Sequence, residues 1–269
     1  MEKDQKEKTM HTTISADGTS LAYNSHGSGP ALILVDGAFC SRNFGPMLKL
    51  APVLAEQFTV YAYDRRARGD SGDTKPYAVE REIEDLQAMI QVAGGSAFLF
   101  GISSGAILCI RAVVAGLNIP RLALLEPPYV GNKNGRRPVD AKQQLDQLIH
   151  AGNSSGAVKF YLRKVIGVPA IVPFILRLTP NWSKMKANAG SLPYDTAVCG
   201  DFTVTKAQVS TVTVPTLVID SKKSPDTLRN AVRDLVEILP DGQRMSLTGS
   251  AHAVPPGTLA PVLANFYMR

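Results

Sequence analysis

Gly101-Ile102-Ser103-Ser104-Gly105, GISSG, follows the apolar run AFLF (97–100) and opens a nearly apolar stretch, SGAILCIRAVVAG (104–116). The run reads as a buried strand and the stretch after it as a buried helix. In G-x-S-x-G the central residue sits on a strained turn between strand and helix, and only small neighbours fit two positions to either side. Gly101 and Gly105 meet that condition for Ser103, not for Ser104. Ser103 is therefore the candidate nucleophile, its hydroxyl presented above the edge of a sheet. The N–H of Ser104 falls at a helix N-terminus, where the dipole favours developing negative charge. The alternative is a tight glycine turn with incidental serines.

Outward from this turn, apolar runs bounded by turn residues recur. LAYNSHG (21–27) alternates, whereas ALILV (31–35), FTVYAY (58–63), RLALL (121–125) and TLVID (216–220) are mostly continuous, as strands buried on both faces are. Between them lie helical patterns over 81–94, 104–116 and 224–239, the first with acids in its opening turn and the last opening on Ser-Pro. This alternation predicts a mostly parallel sheet covered by helices on both faces, an α/β fold. Residues 131–205 break the rhythm with helix-like pieces at 141–152 and 157–167 and an apolar, proline-interrupted run at 167–178. They read as an insertion capping the sheet. The expected division is a tail over 1–11, a core over 12–130 and 206–269, and a helical cap over 131–205.

Composition sets the bounds. With 269 residues, 45% of them apolar and 19% charged, the chain is expected to be a soluble protein with one sizeable core. The opening MEKDQKEKTMH is charged, lacks an apolar centre and reads as a frayed tail rather than a secretory signal. No run is long enough to span a bilayer. Cys40, Cys109 and Cys199 show no metal-type spacing and are expected as free thiols in a reducing cytoplasm. The formal charge of +6 is concentrated in 131–205, which holds ten Lys/Arg against four Asp/Glu. These charges are scattered and accompany no nucleic-acid-binding motif, so they read as a solvated basic surface or as help in attracting an anionic substrate. A small-molecule substrate is expected, with neither nucleic acid nor membrane as partner; a homodimer is left open.

The segments GPALILVDGAF, YAYDRRARGDSGDT, LFGISSGA, LALLEPP, TVPTLVID and LTGSAHAVPP, in that order, resemble the stations of the α/β-hydrolase family from about Thr12 to the C-terminus. The chain is most similar to the capped bacterial hydrolases of that superfamily. The resemblance implies an eight-stranded sheet and a cap between the sixth and seventh strands. It also implies a second oxyanion donor, the N–H of Ala38, although this chain has Asp36-Gly37 where many relatives have His-Gly. Phe39 follows in the same loop as a candidate wall of the site. Asp36 reads as a structural carboxylate or a substrate contact. The charged turn from Arg65 to Gly72 reads as a structural network.

A serine needs a general base to be a useful nucleophile at neutral pH. Of the four histidines, His11 lies in the expected tail, His26 near a strand end and His150 on a cap helix. His252 lies in GSAHAVPP, after the strand-like RMSLT (244–248), at the family's histidine loop. The acid is harder to place, because Ser224 stands at the family's usual acid position and cannot carry the charge. Glu126, ending the sixth strand and stiffened by two following prolines, is preferred. A subset of the superfamily, including some haloalkane dehalogenases, takes its acid from that station. Asp220, Asp226 or the absence of a working acid are the alternatives.

These residues point to acyl transfer to water with no metal or cofactor, on a small to medium apolar ester, lactone or related carbonyl compound. Dehalogenation is disfavoured because that chemistry needs a carboxylate where Ser103 sits. Ile171 and Phe174, in the apolar cap run, are expected either to wall the substrate pocket or to pack the cap. Two other classes use the same fold: a lyase or cyclase working the triad as acid and base, and a non-catalytic ligand receptor.

Overall fold

The computed structural model describes residues 10–131 and 137–269. The chain runs β1 (His11–Ile14), β2 (Ser20–His26), β3 (Ala31–Val35), α1 (Met47–Leu54), β4 (Thr59–Tyr63), α2 (Val79–Val92), β5 (Phe98–Ile102), α3 (Ser104–Val114) and β6 (Leu122–Leu125). An insertion, called the cap below, then carries α4 (Ala141–His150), α5 (Ser154–Phe160), a π-helical turn (Tyr161–Ile166), α6 (Ile171–Leu176), α7 (Asn181–Ala187), α8 (Leu192–Cys199) and α9 (Lys206–Val209). The core resumes with β7 (Thr216–Ser221), α10 (Asp226–Ile238), β8 (Gly242–Leu247) and α11 (Pro256–Tyr267).

The strands form one eight-stranded sheet in the order β1-β2-β4-β3-β5-β6-β7-β8. The pairings of β2 with β1 and β4 are antiparallel, and all others are parallel. β6 and β7 are buried at every position, which explains why their sequences do not alternate. α2, α3 and α10 join the cap in one apolar cluster, while α1 and α11 build a second. The strand order reverses around β3, with β4 on one side and β5 on the other. Such a reversal opens a crevice at the carboxyl ends of the strands, where a ligand can enter. The loops holding Ala38 and Ser103 leave β3 and β5 at that point.

Glycine is required there by contact. A Cβ on Gly105 would lie 2.3 Å from the Val35 carbonyl oxygen and 2.6 Å from that of Asp36; one on Gly101 would lie 2.7 Å from Ala106 Cα. The first turn of α3 thus rests directly on the backbone leaving β3.

The structure also departs from the sequence reading. His11 is not in a tail: it opens β1, and its ring stacks on Tyr23 with centroids 5.4 Å apart. This strand is short and mostly exposed, so it has no apolar pattern, and its pairing with β2 defines it. The helix expected over 157–167 begins at Ser154 and continues into the π-helical turn, while α1 and α11 contain internal prolines that mask a helical pattern. The tail and the start of the expected cap fall in part on residues 1–9 and 132–136, outside the described residues.

Replacing Gly105 by Ala forces a Cβ into the Val35 carbonyl. The expected cost is about 3 kcal/mol or more, seen as a fall in Tm on the order of 10 °C in a thermal melt.

Candidate active site

Ser103 joins β5 to α3 at φ 56° and ψ −125°, a conformation that residues other than glycine seldom adopt. Its N–H donates to the Leu125 carbonyl at 3.0 Å, and its own carbonyl accepts from Ala106 at 3.0 Å. Its side chain is half-buried at the edge of a cavity of about 560 Å³. Ser104 differs. It is buried, and its hydroxyl donates to Asp195 Oδ1 at 2.6 Å, so it is spent inside the protein. The N–H of Ser104 belongs to the first turn of α3, where helical donors lack an internal partner. The Gly37 turn passes directly beside the serine, since a Cβ there would lie 2.9 Å from Ser103 Cβ. Ala38 and Phe39 follow that turn and line the cavity. Phe39 holds φ 68°, and its ring meets Tyr161 edge-on at 5.3 Å.

His252 lies in the loop after β8, also at positive φ (55°), and faces the same cavity. Its Nδ1 stands 2.9 Å from Glu126 Oε2. The contact is close but bent away from ideal hydrogen-bond alignment, and the backbone N–H of His252 donates to the same oxygen at 2.7 Å. Glu126 is fully buried at the end of β6, with φ 50°. Its other oxygen accepts the Ser221 N–H at 2.8 Å and the Ser224 hydroxyl. Burial alone pushes this carboxyl up; the hydrogen bonds from His252, Ser224 and Ser221 and the imidazole charge outweigh it and hold Glu126 down at about 2.

The other acids are engaged elsewhere. Asp220 is buried between Arg244, whose Nε donates to it at 2.7 Å, and the Ser246 hydroxyl. The Asp226 side chain is 88% exposed and lies 3.5 Å from Arg229. Ser224 serves as a hydrogen-bond donor to Glu126, a role sequence reasoning missed.

The cavity is mostly apolar. Its cap side is built by Tyr161 and Val165 of the π-helical turn and by the segment through Pro169. Ile171 and Phe174 do not line it and are 56% and 61% exposed. The reason is local: α6 turns Pro173 inward and so presents Ile171 and Phe174 to the outside. Arg137 lines the cavity with its guanidinium 4.0 Å from the Phe202 ring centroid, donating to the Val165 carbonyl at 2.8 Å. Among the described residues no group of three His, Cys, Asp or Glu side chains is placed to hold a metal ion, and no helix is long and apolar enough to cross a membrane.

Behind the site lies a buried charged network from the turn after β4. Arg65 pairs with Glu82 at 2.6 and 2.9 Å, Arg66 with Asp85 at 2.7 Å through two nitrogens, and Arg42 with Asp64 at 3.0 Å. Asp36, just before the Gly37 turn, is buried beside Arg68, Arg65 and Cys40, and one of its carboxyl oxygens has no hydrogen-bond partner. Burial pushes it up to about 7, against the pull of the two arginines.

The Alpha/beta hydrolase family profile matches residues 25–261, and the chain belongs to that family. Among solved structures it is similar to an alpha/beta hydrolase from Sphaerobacter thermophilus DSM 20745, with 45% identity and a TM-score of 0.89 over 96% of this chain and 100% of that one. An enol-lactonase from Burkholderia xenovorans LB400 shares the fold at 16% identity and a TM-score of 0.69, over 96% of this chain and 100% of its own. Over 107 residues the chain is 33% identical to YraK, an uncharacterized hydrolase of Bacillus subtilis strain 168. That match spans 37% of this chain and 39% of YraK.

Asp36 generates a pH prediction. Its carboxyl stays neutral in the fold up to about 7, while in the unfolded chain it ionises from about 4. The unfolded state therefore binds fewer protons in that window, and stability falls as pH rises through it. Asp36→Asn removes the effect: between pH 5 and pH 8 the variant's Tm is expected to fall less than that of the parent, measured in matched buffers.

Proposed function

We propose that the protein is a serine hydrolase that cleaves a small to medium apolar ester, lactone or related carbonyl compound through an acyl-enzyme. The observation that carries the reading is that Ser103 and His252 line one mainly apolar cavity, with the buried Glu126 held against the His252 imidazole from behind. Ser103 is the nucleophile, and His252 takes its proton as general base. The ionised Glu126 orients the imidazole and stabilises the imidazolium as it forms. The N–H groups of Ala38 and Ser104 receive the developing oxyanion, with the start of α3 adding its dipole. The leaving group takes the proton from His252. Water activated by the same imidazole then releases the acid and restores Ser103.

The cavity supports the substrate class. A volume of about 560 Å³ with mainly apolar walls suits a ligand of modest size whose polar group lies at Ser103. Tyr161 and Val165 are the residues on which acyl selectivity rests in this reading.

A fluorophosphonate probe is expected to label the protein, with labelling lost in Ser103→Ala and kept in Ser104→Ala. Labelling of Ser103→Ala at the parent level would overturn the assignment. Glu126→Gln is expected to retain the fold and lower kcat on a p-nitrophenyl ester by about 10² to 10⁴, because an amide does not stabilise the imidazolium. Since Glu126 is held at about 2, it stays ionised across the working range.

In an acyl-length series of p-nitrophenyl esters, Val165→Ala is expected to shift the preference toward longer chains by several-fold. Phe174→Ala, on the outer face of α6, is expected to leave that preference unchanged.

A further inference from the structure

We propose that Asp195, carried by the cap, is a positioning residue for both oxyanion donors, so that the cap belongs to the catalytic apparatus as well as covering it. This rests on the reading of Ser103 as nucleophile and of Ala38 and Ser104 as oxyanion donors.

Asp195 lies in α8 and is fully buried. Its Oδ1 accepts from the Ser104 hydroxyl at 2.6 Å, Arg68 Nη2 at 2.7 Å and Arg65 Nη1 at 3.0 Å. Ser104 carries one oxyanion donor on its own backbone, and the bond to Asp195 anchors that residue from the side-chain end. Arg68 reaches the other donor. Its Nη1 donates to the Gly37 carbonyl, and that carbonyl and the Ala38 N–H are two ends of one planar peptide. Fixing the carbonyl therefore fixes the direction of the N–H. Drawing electron density toward the carbonyl also makes the N–H a stronger donor, the cooperative effect of linked hydrogen bonds. One carboxylate oxygen on the cap thus governs both halves of the oxyanion site.

Two further contacts close the grip. Arg65 Nη1 donates to the Asp36 carbonyl at 3.1 Å, one peptide upstream. Asn188, just before α8, donates from Nδ2 to the Phe39 carbonyl at 2.8 Å and accepts the Gly69 N–H at 3.2 Å. The carbonyls of residues 36, 37 and 39 are all held, in a turn where Phe39 occupies positive φ. Strain of that kind persists only where the surroundings over-determine it. Neutralising Arg65 does not explain Asp195, because Glu82 already pairs with that guanidinium through two nitrogens. What remains for Asp195 is Arg68 and Ser104, the two residues tied to the donors.

The test reads oxyanion stabilisation directly. Asp195→Asn, Arg68→Met and Asn188→Ala are compared with the parent for kcat and KM on a p-nitrophenyl ester and for inhibition by an aryl trifluoromethyl ketone. The Ser103 oxygen adds to the ketone carbonyl while its proton passes to His252, giving a tetrahedral oxyanion. Expected for Asp195→Asn and Arg68→Met is a fall in kcat of about 10- to 100-fold, less than loss of a whole donor costs. KM should change by less than about three-fold, and ketone affinity should fall in parallel with kcat. Asn188→Ala disturbs no buried charge and is expected to move kcat the same way by a smaller factor.

The double variant Arg68→Met/Asp195→Leu removes the charge imbalance. It is expected to regain the Tm lost by Asp195→Asn without regaining kcat. Recovery of kcat together with Tm would show a structural role only and overturn the proposal. So would kcat and ketone affinity within two-fold of the parent in Asp195→Asn. A parent protein that neither turns over the ester nor labels at Ser103 would instead refute the hydrolase reading, so the two failures are distinguishable.

Discussion

Helix α3 starts against the backbone that leaves β3, at a separation that leaves no room for a Cβ at Gly105. That close approach drives the turn after β5 into the conformation seen at Ser103 and brings Gly37 against the serine's Cβ. It also aims the free N–H groups of a helix start at the crevice where the strand order reverses. Strain recurs at neighbouring stations: Phe39, Glu126 and His252 also hold positive φ, each in a loop leaving the carboxyl end of a strand. Each strained residue is tied by a hydrogen bond. Ser103 donates to Leu125, Glu126 to Ile219, and His252 to Glu126, while the Phe39 carbonyl accepts from Asn188.

Two buried carboxylates near this turn show what decides their charge. Both suffer desolvation, yet Glu126 is held at about 2 while Asp36 is pushed up to about 7. Glu126 accepts from the Ser221 and His252 N–H groups and the Ser224 hydroxyl, and has an imidazole alongside. Asp36 keeps an oxygen with no hydrogen-bond partner, and the arginines near it are directed mainly at Glu82, Asp195 and backbone carbonyls. Direct donors outweigh burial at the first site, whereas arginines committed elsewhere do not at the second.

The cap contributes in three distinct ways. Its π-helical turn and the segment after it wall the cavity, its α8 region grips the turn after β3, and its α6 displays Ile171 and Phe174 outward. The basic excess in 131–205 coexists with a cavity whose walls are mainly apolar. One of those basic residues, Arg137, is itself among the lining residues, with its guanidinium over the Phe202 ring.

Local pattern was enough for the fold class. The continuous apolar strands, the helices between them and the glycines flanking Ser103 define a doubly covered parallel sheet with a turn of the elbow type, because burial on both faces and steric exclusion act over a few residues. The resemblance to the family, rather than local pattern, showed Ser224 standing at the usual acid position and directed attention to Glu126. What local pattern did not reveal was set by pairings across long stretches of chain. β1 is a strand because β2 lies beside it, and Pro173 inside α6 decides which side chains of that helix face out. Ser104 meets Asp195 across 91 positions and Glu126 meets Ser224 across 98. The burial and hydrogen bonding of a polar group depend on which distant segment packs over it, and only the folded chain brings those segments together.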